Sequence, residues 1–280
     1  MAKKVVVQSR IFVSGYIVAA GILMSMTVMS CGLSSSNSVL PNHSPSSTSL
    51  APVSSLTVTE GTLPNIDLTG YSTLGGFPIL EGSDPSVMRA NKLIYQLIVN
   101  SENQFKQNAL AQPLPPPTSL AGIYQTGVEP GFISATTVTV SVLISLTARL
   151  VGGNDGDGWL SITIEMATGQ IVGISSIFSN PETGLKVLAK AVQDSVLRNN
   201  ACIRNATSAK DGFGSIALRG FASQVDNYKD FALTNTGLAV GFPNGQVGPD
   251  GCGKIETTVP YSLLKGYFSP LGNLLESGLK

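Results

Sequence analysis

Histidine is nearly missing from this 280-residue chain: its one copy, His43, sits in a serine- and proline-rich stretch. A Ser-His-Asp or Cys-His arrangement therefore has no histidine to use beyond that stretch, and a histidine zinc site such as H-E-x-x-H has none either. Charge is also scarce, at 12% of residues against about 25% in ordinary soluble domains. Neither sign dominates, since 17 cations balance 17 acids. Loss of the first thirty residues removes Lys3, Lys4 and Arg10, leaving 14 cations against the 17 acids. A chain near −3 lacks the basic footprint that nucleic acid or an anionic membrane surface requires. No G-x-S-x-G elbow and no phosphate-cradling glycine loop is present.

What the first thirty residues do contain is a basic start and an uncharged apolar run, Ile11 to Met29, followed by Ser30-Cys31-Gly32. This is the layout of a secretory signal. The run also has the length of a membrane span, so an uncleaved anchor is the competing reading. The residues VMSC, Val28 to Cys31, resemble the bacterial lipoprotein box, with a branched apolar residue three before the cysteine and a small one just before it. That resemblance implies cleavage before Cys31, a diacylglyceryl group on its thiol and a position on the outer face of a bacterial membrane. Two acyl chains anchor stably where one does not. Residues 31–62 then read as a Ser/Pro-rich tether that carries too little apolar surface to order itself.

Residues 63–280 read as one α+β domain, or two packed halves, with antiparallel or mixed sheets and two main helices. Asp84-Pro85 and Asn180-Pro181 are helix starts, a capping side chain followed by a first-turn proline. The first helix carries Ile94, Leu97, Ile98 and Phe105. The second carries Leu185, Leu188, Ala189, Val192 and Val196 and ends near Asn199-Asn200. Between them Val138 to Leu150 alternates apolar even positions with mostly Ser/Thr odd ones. Leu160 to Met166 repeats the pattern after the turn GGNDGDG. The two runs predict an antiparallel hairpin with its even positions in the core. Thr168-Gly169 leads to a third strand at Ile171–Ile174. Three short strands follow at Phe231–Thr234, Gly237–Phe242 and Ile255–Pro260, and a last short helix at about Ser262–Phe268.

The turn ATG (Ala167–Gly169), SSIF (Ser175–Phe178), FALTNTGLAV (Phe231–Val240) and TVPYSLLKGYF (Thr258–Phe268) resemble the RsiV-like extracytoplasmic domain family. PILEGSDPSVMRANKLIYQLI (Pro78–Ile98) is similar to the preceding half of that module. The resemblance covers roughly residues 63–272. It implies a partly β-grasp-like α+β fold facing the envelope and a binding role, in a family that includes a lysozyme-sensing anti-sigma-factor ectodomain and mycobacterial secreted immunogens. Between the last two motifs the chain departs from the family, being glycine-rich and without tyrosine from Gly241 to Thr257.

Three further readings concern chemistry. Cys202 and Cys252 are expected to form a disulfide, because two free thiols do not persist in an oxidising compartment. The bond would pin the glycine-rich loop against the end of the second helix. Two buried free cysteines are the alternative. Trp159 begins a strand on its polar side and is a candidate exposed platform for a sugar or protein ligand, with core packing as the alternative. Asp155 and Asp157 belong to a plain hairpin turn rather than a calcium loop, because Trp159 stands where the third ligand would be. Paired carboxylates for glycoside cleavage could come from Asp155, Asp157, Glu165, Asp226 or Asp230. No catalytic residue, metal or organic cofactor is assigned. The function expected is a surface-anchored binding module for a lysozyme-like protein or a wall polymer. The alternative is a histidine-independent envelope esterase or hydrolase.

Overall fold

Two capped helices and two sheets arise where the sequence places its punctuation. The computed structural model describes residues 53–63, 71–111, 122–150, 156–208 and 213–279, within a compact unit spanning Leu50–Lys280. The signal, Cys31 and most of the tether lie outside the described residues. Helix α1 (Pro85–Leu110) starts where Asp84 accepts a hydrogen bond from the Ser86 amide at 2.8 Å, with Pro85 in its first turn. Helix α2 (Pro181–Asn199) starts where Asn180 accepts from the Thr183 amide at 3.0 Å. Each cap satisfies an amide that the helix itself leaves unpaired.

The larger sheet has six strands in chain order: β1 (Val58–Thr62), β2 (Tyr71–Leu80), β3 (Gly122–Ala135), β4 (Thr139–Leu150), β5 (Gly158–Glu165) and β6 (Gln170–Ile171). All neighbours are antiparallel except β2 and β3. These two run parallel because α1 carries the chain back between them, the kind of long crossover that parallel pairing needs. The hairpin β4–β5 has the expected register, pairing Val140 with Ile164, Val142 with Ile162 and Ile144 with Leu160. Its even positions meet Val87, Ala90, Ile94, Ile98 and Phe105 of α1 in one apolar core.

The smaller sheet is β7 (Phe231–Leu233), β8 (Gly237–Phe242) and β9 (Ile255–Pro260), antiparallel throughout. One of its faces, with Phe231, Leu233, Leu238, Val240 and Phe242, packs under α2, α3 (Ala201–Ser208) and α4 (Phe213–Gly220). Its other face lies on the odd-numbered face of β4 and β5, where Leu143, Trp159, Ala232 and Ala239 form a small cluster between the sheets. The order of layers is thus helix, sheet, sheet, helices.

The end of the expected tether is ordered, since Val58–Thr62 form β1 and Ser55 bridges Thr136, and two further expected elements differ. The strand expected at Ile171–Ile174 is only Gln170–Ile171, and the chain then turns through a 3-10 segment at Ile174–Ile177, which buries both isoleucines under the second core. The helix expected at Ser262–Phe268 is two 3-10 turns, Tyr261–Leu263 and Lys265–Tyr267. A true helix α5 (Pro270–Ser277) follows, where Ser269 accepts from the Gly272 amide.

Candidate binding groove

The hydroxyl face of β4 and β5 is covered. Thr139 and Ser141 are fully buried and Thr163 nearly so. Ser141 and Thr163 share a hydrogen bond of 2.6 Å, and Ser141 Oγ also accepts from the Leu233 amide at 2.8 Å. The opposing strands present Ala232, Ala239 and Gly241. A Cβ on Gly241 would stand 2.5 Å from Trp159 Cδ1, so the sheets approach more closely there than a side chain allows.

Trp159 is therefore no exposed platform. It is 6% exposed, wedged between the sheets, and donates its indole N–H to the Ile255 carbonyl at 3.2 Å. The polar strand side that suggested exposure faces the second sheet instead of water. Lys254 lies over the indole ring, 5.1 Å from its centroid, and donates to Ser145 Oγ. This contact combines a cation–π interaction with partial desolvation. Burial, the main cause, lowers the lysine's pKa.

Lys254 also lines a groove of about 480 Å³, within the range of ligand sites. The floor is the run Lys254 to Thr258, at the outer edge of β9. One wall is the last turn of α2, with Ser195, Val196, Asn199 and Asn200; the other is Phe132 on β3. Ser195 and Thr257 share a 2.7 Å hydrogen bond that holds α2 to β9. Cys202 and Cys252 are disulfide-bonded, with Cα atoms 5.6 Å apart. The bond joins the start of α3 to the loop carrying Lys254, so it cross-links the floor and one wall. Asn200 continues the same frame by capping α3, accepting from the Ile203 amide at 3.0 Å. A second, smaller groove of about 370 Å³ is lined by Ser55, Gly131 to Thr136, Thr234, Asn235 and Leu279.

The acids weighed in the sequence do not converge. Asp157 pairs with Arg149 across the hairpin at 3.1 Å. Glu165 stands at the far end of the same strand, accepting from Thr168 Oγ1, roughly 26 Å away at the strand rise. Asp226 lies exposed in the first turn of the 3-10 segment Val225–Tyr228. Asp230 is set beside Ser161, 3.4 Å from its hydroxyl, and burial pushes its carboxyl up to about 6. Neither groove includes it. Asp155 lies outside the described residues. Among the described residues no three His, Cys, Asp or Glu side chains gather as a metal site, and no helix is long and apolar enough to cross a membrane.

Sequence reasoning located the disulfide but not the groove. Asn199, Asn200, Lys254 and Glu256 carried no motif. The available signal was indirect: Lys254 stands two residues after a cysteine whose partner follows Asn199-Asn200 by two residues.

Residues 175–262 match the family described as "Protein of unknown function (DUF3298)". That span contains α2, the disulfide, the smaller sheet and all of the groove except Phe132. Among solved structures, the chain is similar to a DUF3298 family protein from Pseudomonas aeruginosa PAO1, with a TM-score of 0.46 and 14% identity over 79% of this chain and 95% of that one. It is also similar to a member of the family from Bacteroides fragilis, with a TM-score of 0.42 and 11% identity over 80% and 96%. No curated protein matches the chain.

Proposed function

We propose that this protein is a lipid-anchored extracytoplasmic binding module of the RsiV-like type, tethered to a bacterial membrane through Cys31, with the α2–β9 groove as its ligand site. The observation that carries the site is the cross-linked frame around Lys254. A half-buried cation, side-chain amides and an aromatic wall converge on one concavity, and a disulfide and the Ser195–Thr257 bond fix its geometry in advance. Preorganised walls reduce the ordering cost of binding. The membrane anchor rests on the VMSC box, the RsiV-like reading on the quoted motifs, and the ligand class on that family's envelope-facing role: a lysozyme-like protein or a wall polymer.

The test is retention of purified lysozyme and of solubilised wall polymer on the immobilised full-length protein, compared with Lys254→Ala. Retention of one of them, weakened about ten-fold or more in the variant, is the expected result. Equal retention by both proteins would remove the groove from the proposal. Ester hydrolysis by the wild type, lost in Asp230→Asn, would move the reading to the hydrolase alternative. In cells, Cys31→Ala should leave the membrane or stall with its signal attached; unchanged retention would remove the anchor.

A further inference from the structure

Resting on that binding role, we propose that the groove takes an extended peptide, which adds as a fourth strand to the free edge of β9 and seats a carboxylate side chain against Lys254.

The polarity of β9 follows from its neighbours. Gly241 donates its N–H to the Asp230 carbonyl, and the Gly237 carbonyl accepts from Thr234, so odd-numbered residues of β8 face β7. In an antiparallel pair the N–H and C=O of one residue point to the same side, and the side alternates along the strand. Even-numbered residues of β8 therefore bond to β9, through the pairs Leu238–Val259, Val240–Thr257 and Phe242–Ile255. The N–H and C=O groups of Glu256 and Thr258 then point outward into the groove. Among the described residues no strand pairs with this edge. Pro260 is next in the outward series and has no N–H to offer, so it ends the docking edge.

The groove's shape selects the occupant. β9 is recessed: α2 rises on one side of its edge and Phe132 of β3 on the other. A second copy of this chain would have to bring its own α2 and Phe132 up to the same edge. A lone extended segment has no such flanks. A sugar chain would not match two N–H and C=O pairs spaced at about 7 Å, the strand repeat, whereas a peptide backbone does. Side chains of the added strand would alternate between the two walls. Those on the α2 side meet Ser195, Asn199 and Asn200. Those on the β3 side meet Phe132 and Lys254. Among the described residues Lys254 makes no ion pair within 4.0 Å; its hydrogen bond goes to a serine hydroxyl. Asp157 and Glu256 act on Lys254 electrostatically without pairing with it directly, and a carboxylate on the incoming strand supplies that direct pair.

The test uses the full-length protein in detergent and, as probe, a displayed library of random linear peptides of about ten residues. Selected peptides should carry an acidic residue. Their binding should slow amide hydrogen exchange at Glu256 and Thr258 about ten-fold or more. Thr258→Pro deletes one outward N–H without touching a bond to β8 and should weaken binding at least ~10-fold. Lys254→Met should do the same for acidic peptides only. Failure to select any peptide, unchanged exchange at the two amides, or wild-type affinity in Thr258→Pro would each overturn strand addition. So would exclusive binding of wall polymer, or dimerisation abolished by Thr258→Pro. If lysozyme or wall polymer is retained equally by wild type and Thr258→Pro, the peptide mode fails while the binding role stands. If the wild type retains neither and selects no peptide, both fail.

Discussion

The two faces of the six-stranded sheet are both buried, yet they are built from different chemistry. The α1 face is apolar, with Val140, Val142, Ile144, Ile162 and Ile164 packed against the helix stripe. The opposite face holds Thr139, Ser141, Leu143, Ser145, Trp159 and Thr163 against Ala232, Ala239 and Gly241. The first is stabilised by removing hydrocarbon from water, and its contribution scales with area. The second is stabilised by close approach of two backbones, and each hydroxyl must find a partner or carry a desolvation cost. Alternation along a strand thus reveals which face is oily. It says nothing of the other face, which can still be covered where the facing residues are small and most polar atoms are paired, Thr139 Oγ1 being the exception.

That distinction explains what could be read in the sequence. Helices α1 and α2, the hairpin register and the three late strands were legible because caps, prolines and apolar periodicity are local signals. β2 and β3 were not, because Gly75-Gly76 and Pro78 interrupt one, and Gly127 with Gly131 brackets the irregularity in the other. Their pairing partners are distant in the chain. Helix α5 repeated the cap-and-proline signature in Ser269-Pro270 and could have been found from it. The disulfide followed from the expected export and the cysteine count. The groove did not, because it is made by three elements from different parts of the chain, and its Asn and Lys side chains carry no pattern of their own. Trp159 was placed on the correct strand face, but that face borders the second sheet.

The sharpest test of the apolar face is Ile164→Ala. Ile164 is fully buried opposite Val140, and the truncation removes area and leaves a cavity, for an expected loss of about 4 kcal/mol in chemical unfolding. A loss near that of an exposed site would mean α1 does not pack as described.

At the border of the hydroxyl face, Asp230 gives a pH signature. Burial raises its carboxyl from 3.8 to about 6 in the fold. Between these values the native state holds more protons than the unfolded chain, so stability falls as pH rises from about 4 through 6, and the cost is fully present above. The shift corresponds to about 3 kcal/mol as a ceiling. Asp230→Asn should flatten this slope and stabilise the protein at pH 8; an unchanged slope would place the carboxylate in water.

Gly241→Val tests the close approach directly. Its Cβ would meet the Trp159 ring, whose position is fixed between the sheets. Overpacking of this kind costs about 2 kcal/mol, and the indole bond to Ile255 should weaken with it. Tryptophan fluorescence shifted towards red, together with the lost stability, is the expected outcome. A variant as stable as wild type would show that the sheets part easily.

The smallest expected effect separates the two faces most cleanly. Ser141→Ala removes hardly any area, so an area argument expects almost no change. The polar argument expects otherwise, because Ser141 Oγ serves both Thr163 and the Leu233 amide. Its loss strands a buried N–H on β7 and a buried hydroxyl on β5, for about 1.5 kcal/mol. Thr163→Val alone should cost less, since Ser141 keeps its bond to Leu233. In the double variant the stranded hydroxyl is gone but the Leu233 N–H remains unpaired, so the combined loss should fall below the sum of the singles while staying above zero. A double-mutant cycle measured by urea unfolding resolves this. Full additivity would mean the two hydroxyls do not interact. Zero loss in Ser141→Ala would mean water reaches the space between the sheets.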